Sequence, residues 1–270
     1  MSTKERKLLC ISGLDPTGEA GLLRDISVAT FVGVRAGGVV TCLVDENVFG
    51  VRRTSVIDSH TILTLIDAFL AEQRAAVTKI GLVPPSLARD LAAALWERRD
   101  ALGTIVLDPV MEATAGGHFY DADDTEALRA LVALATVVTP NVREATALVD
   151  TKTRTAPLPE ELCDIAMSLM KMGPEAVVIT GVPEGSSQVS DYFFWGSTRK
   201  VFSGAASARR VRGTGCAFSS ALASFLVMGA HLPSAVERAG ELVRGWINRG
   251  VYIGADTYGL SVVREPSENQ

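Results

Sequence analysis

Residues 8–44 read LLCISGLDPTGEAGLLRDISVATFVGVRAGGVVTCLV. The stretch begins with the apolar run Leu8–Ser12, ends with the apolar run Val39–Val44, and carries a helical pattern, Leu22–Val32, between them. Each run is almost continuously apolar, which is typical of a strand that is buried on both faces of a parallel sheet. We therefore expect a strand, a helix and a second strand here, the repeating unit of an α/β fold.

The same alternation continues along the chain. Apolar runs predict further strands at Val77–Ile80, Thr104–Leu107, Thr136–Thr139 and Ala176–Thr180, and helical patterns lie at Ile62–Ala75, Leu87–Leu102, Thr125–Leu134 and Leu158–Met172. An antiparallel pair and two long helices are predicted to follow, at Val189–Trp195, Arg199–Ser203, Ala217–Val227 and Ser234–Tyr252. This order predicts one α/β domain over residues 1–270, with polar termini at about 1–6 and 264–270 and a doubly wound, mostly parallel sheet that has helices on both faces.

The composition excludes several classes of protein. The net charge of -5 argues against a nucleic acid as the main partner, because binding to a phosphate backbone needs a basic face. The four cysteines, at positions 10, 42, 163 and 216, show neither a disulfide framework nor zinc-ligand spacing. The N-terminus does not resemble a signal peptide, and no stretch approaches the roughly 20 apolar residues of a membrane helix. We therefore expect a cytoplasmic protein that does not bind membranes.

Glycine or polar residues follow nearly every predicted strand. Helix capping alone explains part of this pattern, but ligands in a doubly wound sheet bind beyond the carboxyl ends of the strands. The candidate positions are 13–16, 45–47, 81, 108–109, 140–141 and 181, which read GLDP, DEN, G, DP, PN and G.

The segment Arg212-Gly213-Thr214-Gly215-Cys216 leads directly into the apolar helical pattern Ala217–Val227. Glycines allow several N–H groups to point at one spot, and the N-terminus of a helix adds positive potential there, so this segment predicts an anion hole. It is not a Walker A loop, because no Gly-Lys-Ser/Thr follows. An ordinary glycine turn at the start of a helix is the alternative.

Cys216 lies at the predicted N-terminus of that helix. A thiol in this position is biased towards the thiolate, which would allow it to accept the proton of an attacking alcohol. A lone cysteine is also compatible with a small buried hydrophobic residue. The motif alone leaves both interpretations open.

Five motifs in order resemble those of one family. They are SGLDPTGEAG at 12–21 followed by Asp25, KIG at 79–81, LDPVM at 107–111, TPN at 139–141 with Glu144, and GTGC at 213–216. Together they resemble the hydroxymethylpyrimidine/phosphomethylpyrimidine kinases of thiamin biosynthesis, over roughly Leu8 to Gly259. Pyridoxal kinases, which are close relatives, share much of the pattern. The resemblance implies a ribokinase-like fold.

The resemblance also implies a reaction, in which the γ-phosphoryl group of ATP is transferred in line to a hydroxymethyl oxygen. Cys216 would be the catalytic base, and the backbone of Gly213, Thr214 and Gly215 would cradle the phosphoryl group. The expected ATP-side residues are Asp108, Asn141, Glu144, Thr180, Gly181 and Arg212, with Asp108 and Glu144 as ligands of Mg²⁺. The expected pyrimidine-pocket residues are Gly13, Asp25, Val44 and Glu46. Relatives of this fold often form dimers, so a homodimer is an open alternative.

Two of these assignments have ordinary structural alternatives. Asp25 fits a surface charge on a helix, and Glu144 fits a solvated residue in the first turn of a helix. His60, His118 and His231 match none of the motifs, so we expect exposed histidines there.

Three departures from the family pattern lie at the site itself. Glu46 stands where the family usually has glutamine, and an ionised carboxylate only accepts hydrogen bonds, so Glu46 would favour a ligand edge with two donors. Thr180-Gly181-Val182-Pro183 replaces a stretch that usually holds a lysine near the ATP phosphates. Arg212 replaces a histidine. Our hypothesis is that Arg212 or Arg210 supplies the missing charge. Glu19 and Val48 are smaller departures, from glycine and threonine.

These departures keep two alternatives open beside the pyrimidine kinase. One is a pyridoxal-type kinase that acts on another heteroaromatic alcohol. The other is a non-catalytic ligand-binding homologue, which the missing lysine motivates. The retained anion hole, cysteine and phosphate-side residues argue against this second alternative.

Overall fold

The computed structural model describes residues 6–114, 116–121, 124–153 and 157–263. The polar termini predicted at about 1–6 and 264–270 lie outside the described residues, apart from Arg6. The prediction of one domain over residues 1–270 stays a prediction.

Within the described residues, a sheet of nine strands forms the centre of the fold. Its strands are β1 (Leu8–Leu14), β2 (Ala36–Asn47), β3 (Gly50–Val56), β4 (Val77–Ile80), β5 (Thr104–Leu107), β6 (Val137–Val138), β7 (Ala176–Glu184), β8 (Gln188–Trp195) and β9 (Thr198–Ala205). Their order is β3-β2-β1-β4-β5-β6-β7-β8-β9. The strands from β2 to β7 in this order run parallel, and β3, β8 and β9 are antiparallel to their neighbours.

Helices cover both faces of this sheet. On one face lie α2 (Ser59–Glu72), α3 (Pro85–Glu97), α4 (Arg99–Leu102), α5 (Thr125–Leu134), α6 (Val142–Leu148) and α7 (Pro159–Met170). On the other face lie α1 (Gly21–Val32), α8 (Thr214–Val227) and α9 (Leu232–Asn248). The α/β class and the doubly wound, mostly parallel sheet are therefore confirmed.

Alternate residues of one strand serve the two layers of the core. In β1, Leu9 and Ile11 pack into the larger helical layer, whereas Leu8 and Cys10 pack against α1, α8 and α9. All four side chains are fully buried. Because successive side chains point to opposite faces, a strand covered on both sides must be apolar throughout, which explains the pattern that predicted it.

The structure corrects two predicted helices. The helix predicted at Leu87–Leu102 is interrupted at Arg98, where the backbone leaves the helical region and α3 ends. The helix predicted at Ser234–Tyr252 ends at Asn248, and Gly250 follows. Residues Val251–Gly254 instead form a strand, β11, which belongs to a small second sheet with β10 (Arg210–Val211) and β12 (Thr257–Gly259).

Other elements escaped the sequence patterns. β3 has no buried residue, so it lacks the apolar run of a core strand, and it pairs with β2 as an antiparallel hairpin at the sheet edge. The short helix α6 begins at the capping residue Asn141. No helix in the described parts of the chain is long and apolar enough to cross a membrane.

Candidate active site

The carboxyl ends of the parallel strands open into one cleft. β1 lies at the point where the strand order reverses, with β2 on one side and β4 on the other, and this is where doubly wound sheets bind ligands. All but one of the predicted site residues line the cleft. These are Gly13, Val44, Glu46, Asp108, Asn141, Glu144, Thr180, Gly181, Arg212, Gly213, Thr214, Gly215 and Cys216.

The N-terminus of α8 forms one wall of the cleft. Gly213 has a φ of 72°, in the left-handed region, and a β-carbon there would overlap the carbonyl oxygen of Glu19. Only glycine fits this position, and the turn it makes directs the free N–H groups of the first helical turn into the cleft. The positive end of the 14-residue helix adds to their potential. This geometry favours the anion hole over an ordinary glycine turn.

Cys216 lies in this first turn, where burial opposes the effect of the helix N-terminus on its thiol. Burial raises the pKa of Cys216 to about 12, and the carboxylates of Asp108 and Asp25 act in the same direction. Lys79 and the backbone N–H of Gly21 lower the pKa, but they do not outweigh burial. The thiol of the ligand-free protein is therefore protonated at neutral pH.

A buried ionic network supports the anion hole from below. The Lys79 Nζ lies 2.9 Å from both carboxylate oxygens of Asp25 and 4.0 Å from Asp108 Oδ2, and neither Lys79 nor Asp25 is exposed. Two hydroxyls of α8 join the network. Ser220 Oγ donates to Asp25 over 2.6 Å, and Ser219 Oγ donates to Asp108 over 3.0 Å. The network therefore fixes α8, and with it the anion hole, to the ends of the strands.

This network corrects one residue assignment and adds another. Asp25 is neither a surface charge nor part of the cleft lining; it lies beneath the cleft floor. Lys79, whose charge Asp25 balances, had no assigned role in the sequence. A lysine within the otherwise apolar strand VTKI is the signal that marks it, because a fully buried lysine requires a partner.

Asp108 and Glu144 bring two further carboxylates to the cleft. Burial raises the pKa of Glu144 to about 8, and the negative charge of Asp108 contributes. Burial also raises the pKa of Asp108, against the effect of Lys79. Glu144 is thus not a solvated helix residue. It accepts a hydrogen bond from the backbone N–H of Asn141 over 2.8 Å, while the Asn141 side chain accepts one from the N–H of Glu144.

These carboxylates fit Mg²⁺ with the help of a substrate. No group of three or more His, Cys, Asp or Glu side chains in the described part of the chain is placed to hold a metal ion. Mg²⁺ is commonly bound by only one or two carboxylates, with water and substrate phosphates as its other ligands. Asp108 and Glu144 fit this arrangement, because burial and the charge of Asp108 raise the pKa of Glu144 and a cation would favour its ionised form.

Near the irregularity in its register, β7 presents Thr180 and Gly181 to the cleft, and neither of these residues carries a cation. The Gly181 N–H donates to Asp191 Oδ1 over 3.0 Å, and Asp191 binds Arg244 Nη1 over 3.1 Å. Thr180 and Gly181 also line an adjoining cleft, which Arg209 and Arg244 line as well. Cations therefore lie beside the position of the missing lysine, although they come from other segments of the chain.

Arg212 lies on the opposite side of the main cleft. Its Nη2 is 2.6 Å from Glu46 Oε1 and 3.2 Å from Asp15 Oδ2. The hypothesis that Arg212 replaces the missing lysine at the ATP phosphates is not favoured by these contacts, because two carboxylates already hold the guanidinium. Arg210 is exposed, and its guanidinium donates to the carbonyl of Thr114.

The departure at Glu19 also has a partner. Glu19 Oε2 lies 2.8 Å from Nη2 of the buried Arg24. A glycine at position 19 would leave this guanidinium without its carboxylate. Val48 lies in the turn of the β2–β3 hairpin, and the structure shows no contact that explains it. The three histidines are exposed, as expected.

Comparison with known proteins identifies the family. Residues 15–261 match the family described as phosphomethylpyrimidine kinase. The chain belongs to the phosphomethylpyrimidine kinase family. The hydroxymethylpyrimidine/phosphomethylpyrimidine kinase of Salmonella typhimurium is 32% identical over 220 residues, which cover 80% of this chain and 81% of that protein. The corresponding kinase of Rhizobium meliloti is 32% identical over 234 residues, 86% of each chain.

Solved structures agree with this family membership. The pyridoxal kinase of Bacillus subtilis, solved as an ADP complex, superposes with a TM-score of 0.84 at 25% identity, over 95% of this chain and 97% of that one. The ribokinase-like fold and the resemblance to phosphomethylpyrimidine kinases are thus confirmed. This member of the phosphomethylpyrimidine kinase family is a small-molecule kinase, and as a kinase it uses ATP.

Proposed function

We propose that the protein phosphorylates hydroxymethylpyrimidine, its monophosphate, or both, with ATP as the phosphoryl donor. The observation that carries this proposal is the arrangement of a single cleft. The anion hole and Cys216 line it together with the predicted pyrimidine-side residues Gly13, Val44 and Glu46. An acceptor ring held by the latter residues would place its hydroxymethyl oxygen near the thiol and the helix N-terminus. That geometry suits an in-line transfer, which depends mainly on positioning and on neutralising charge.

Different groups of the protein would stabilise the phosphoryl charge and accept the proton during the transfer. The N–H groups at the N-terminus of α8 stabilise the charge on the phosphoryl oxygens as the group moves. Cys216 takes the proton of the attacking hydroxyl. Its raised pKa in the free protein requires deprotonation before or during the transfer, and the ammonium of Lys79 is the charge that favours the thiolate. Lys79 would therefore both neutralise the buried Asp25 and favour the ionised form of Cys216.

Asp108 and Glu144 would hold Mg²⁺, which when bound neutralises phosphate charge. The adjoining cleft that Thr180, Gly181, Thr214 and Gly215 share with the main one would take the nucleotide. There Arg209 offers positive charge that Thr180 and Gly181 lack, whereas Arg244 is already paired with Asp191. A cytoplasmic location and a homodimer stay predictions.

The acidic wall of the substrate side favours an aminopyrimidine over pyridoxal. Glu46 presents a carboxylate to the cleft, and carboxylate oxygens accept hydrogen bonds. An aminopyrimidine offers an exocyclic amine to such a wall, whereas pyridoxal offers a phenolic oxygen and an aldehyde. Pyridoxal is the second candidate, because the similar Bacillus subtilis structure is a pyridoxal kinase.

ADP release from the purified protein tests the proposal. We expect release with ATP, Mg²⁺ and hydroxymethylpyrimidine or its monophosphate, a lower rate with pyridoxal, and loss of the rate in Cys216→Ala. Thermal unfolding with each acceptor alone separates binding from turnover. Faster turnover of pyridoxal than of either pyrimidine would contradict the substrate assignment.

A further inference from the structure

We propose that Asp15, Arg212 and Glu46 form one charge-paired unit that selects a heteroaromatic alcohol in its ring-protonated form. Glu46 binds the ring edge, and Arg212 is the positioning residue that holds Glu46. This inference rests on the proposed function and narrows its substrate class. The substrate would present two adjacent hydrogen-bond donors, a protonated ring nitrogen beside an exocyclic amine.

All three side chains of the unit are buried. Arg212 is only 1% exposed, and Asp15 and Glu46 are 2% and 7% exposed. A fully buried guanidinium is rare unless carboxylates pair with it, and here one nitrogen, Nη2, contacts both. The backbone N–H of Arg212 donates to the Tyr258 carbonyl over 3.0 Å, which fixes the residue at the edge of the small sheet.

Asp15 already accepts hydrogen bonds from several neighbouring donors, whereas Glu46 keeps acceptor capacity for a ligand. Asp15 accepts hydrogen bonds from the backbone N–H groups of Thr17 and Ala20, over 2.8 and 3.0 Å, and from the Thr17 hydroxyl. Glu46 lies in β2 and lines the cleft, and its contact with Arg212 uses Oε1. A ligand edge in the cleft therefore meets the acceptor capacity of Glu46 and not that of Asp15.

The single guanidinium of the unit faces two carboxylates. When both carboxylates are ionised, the unit carries two negative charges and one positive charge. Burial raises the pKa of Glu46, the nearby Asp15 raises it further, and Arg212 opposes both. The other titratable groups that line the cleft are mostly acidic: Asp108, Glu112, Glu144 and Cys216. The strand β3 beside Glu46 places Val51 opposite it. A ligand that brings one positive charge to Glu46 balances the unit.

The proton balance of binding follows directly. Above the pKa of the ring, the free ligand is neutral, so the ring nitrogen takes one proton from the solvent as it meets the Glu46 carboxylate. No covalent bond forms or breaks in this step. A glutamine at position 46 could instead donate to the unprotonated nitrogen while it accepts from the amine, with no proton taken up.

The unpartnered Nη1 of Arg212 defines the competing possibility. This nitrogen is buried and has no hydrogen-bond partner among the described residues. If it contacted the ligand, the unit would recognise an acceptor, such as a ring oxo group. An aminopyrimidine and its oxo counterpart therefore distinguish the two arrangements.

The test is calorimetric titration of the full chain without ATP, in buffers of different ionisation enthalpy. The probes are 4-amino-5-hydroxymethyl-2-methylpyrimidine and its 4-oxo counterpart. At a pH above the pKa of the amino ring, we expect the wild type to take up about one proton per ring, with affinity falling about tenfold per pH unit. Glu46→Gln should bind without proton uptake, and the oxo ring should bind more weakly to the wild type.

Variants of Arg212 separate positioning from general stability. Arg212→Lys keeps the charge and should retain part of the proton uptake, whereas Arg212→Met should lose it. Glu46→Gln/Arg212→His removes one charge of each sign and should fold even if Arg212→Met does not, and we expect it to bind the amino ring without uptake. The exposed residues Arg199 and Glu237 supply matched controls, Arg199→Met and Glu237→Gln, which should behave as the wild type.

Three results would overturn the inference. They are binding of the amino ring by the wild type without proton uptake, unchanged uptake in Glu46→Gln, and tighter binding of the oxo ring. In the first two cases, turnover of the amino ring by the same protein would show that the proposed function stands without the inference. Folded wild type that neither binds nor phosphorylates a pyrimidine would remove the proposed function, and the inference with it.

Discussion

The phosphate side and the substrate side of the cleft hold charge in different ways. On the phosphate side, burial raises the pKa of Asp108 and of Glu144, and the helix N-terminus faces the open cleft. A cation would neutralise the two carboxylates, and the phosphates of a nucleotide would pair with the helix N-terminus. On the substrate side, Arg212 already joins Asp15 to Glu46. A cation and a nucleotide would complete the electrostatics of the first side, whereas on the second side the protein itself pairs Arg212 with both carboxylates and leaves one negative charge for the ligand.

This difference has a consequence for where substitutions act. Changes on the phosphate side should reduce transfer for every acceptor, because they affect the common step. Changes on the substrate side should alter which acceptor is used. The departures at positions 46 and 212 lie on the substrate side, and the two side chains contact each other. We therefore interpret glutamate for glutamine and arginine for histidine as one coupled pair of substitutions.

Cys216→Ala should have the largest effect on transfer. Loss of the base should lower kcat by about 10²–10⁴-fold with every acceptor, while binding of the ring changes little. Because burial raises the pKa of Cys216 to about 12, the wild-type rate should increase with pH above neutrality, and this increase should vanish in the variant. Rate profiles over pH for both proteins provide the measurement. A parallel profile in Cys216→Ala would show that another group takes the proton.

Gly213→Ala should cause the second-largest loss of kcat. The added β-carbon meets the Glu19 carbonyl and must displace the first turn of α8, so we expect a loss of about 10²–10³-fold in kcat, comparable to removal of one oxyanion donor. Gly185→Ala is the matched control, since Gly185 has a φ of 70° and no atom lies within 4 Å of its would-be β-carbon. Equal losses in the two variants would mean that backbone strain, and not the anion hole, is responsible.

Lys79→Met should affect stability most. Removing the cation leaves the fully buried Asp25 uncompensated, and we expect unfolding to become easier by about 3–5 kcal/mol. Denaturant titration measures this change. The double variant Lys79→Met/Asp25→Asn removes both charges and should recover a large part of the loss. If it did not, the buried pair would not be the source of the effect.

Of these variants, Glu144→Gln should have the smallest effect on the maximal rate, and its effect should be specific to the Mg²⁺ requirement. The variant keeps an oxygen that can accept the Asn141 N–H, but it loses the negative charge, so the Mg²⁺ concentration needed for half-maximal rate should rise by at least the roughly 10-fold that loss of an outer-shell partner costs. The rate at saturating Mg²⁺ should recover. Asp164→Asn, on the exposed side of α7, is a control that should leave the Mg²⁺ requirement unchanged. An unchanged requirement in Glu144→Gln would exclude this carboxylate as a ligand.

The sequence predicted most of the phosphate side, because its residues act through their local position. Gly213 to Cys216 are contiguous, Asp108 and Asn141 each follow a strand with a clear apolar run, and Thr180 is the last residue of a third such run. Continuous apolar runs likewise predicted the six parallel strands. The sequence patterns missed β3, an edge strand without a buried residue, and they extended the last helix past Gly250.

The substrate side could not be predicted in the same way, since it depends on contacts between distant positions. Asp15 and Arg212 are separated by 197 residues, and nothing in either local pattern indicates that they meet. Asp25 illustrates the same limit. The motif predicts it in the pyrimidine pocket, whereas in the structure it pairs with Lys79 beneath the floor of the cleft. The pKa of Cys216 also depends on burial by distant segments, which outweighs the local effect of the helix.

Transfer of label from γ-labelled ATP to hydroxymethylpyrimidine tests the central claim most directly. We expect the folded wild type, with Mg²⁺, to place the label in the pyrimidine monophosphate, and Cys216→Ala to leave the label in ATP. Label released only as inorganic phosphate, or none transferred to any pyrimidine by the folded wild type, would contradict the assignment of this cleft as a pyrimidine kinase site.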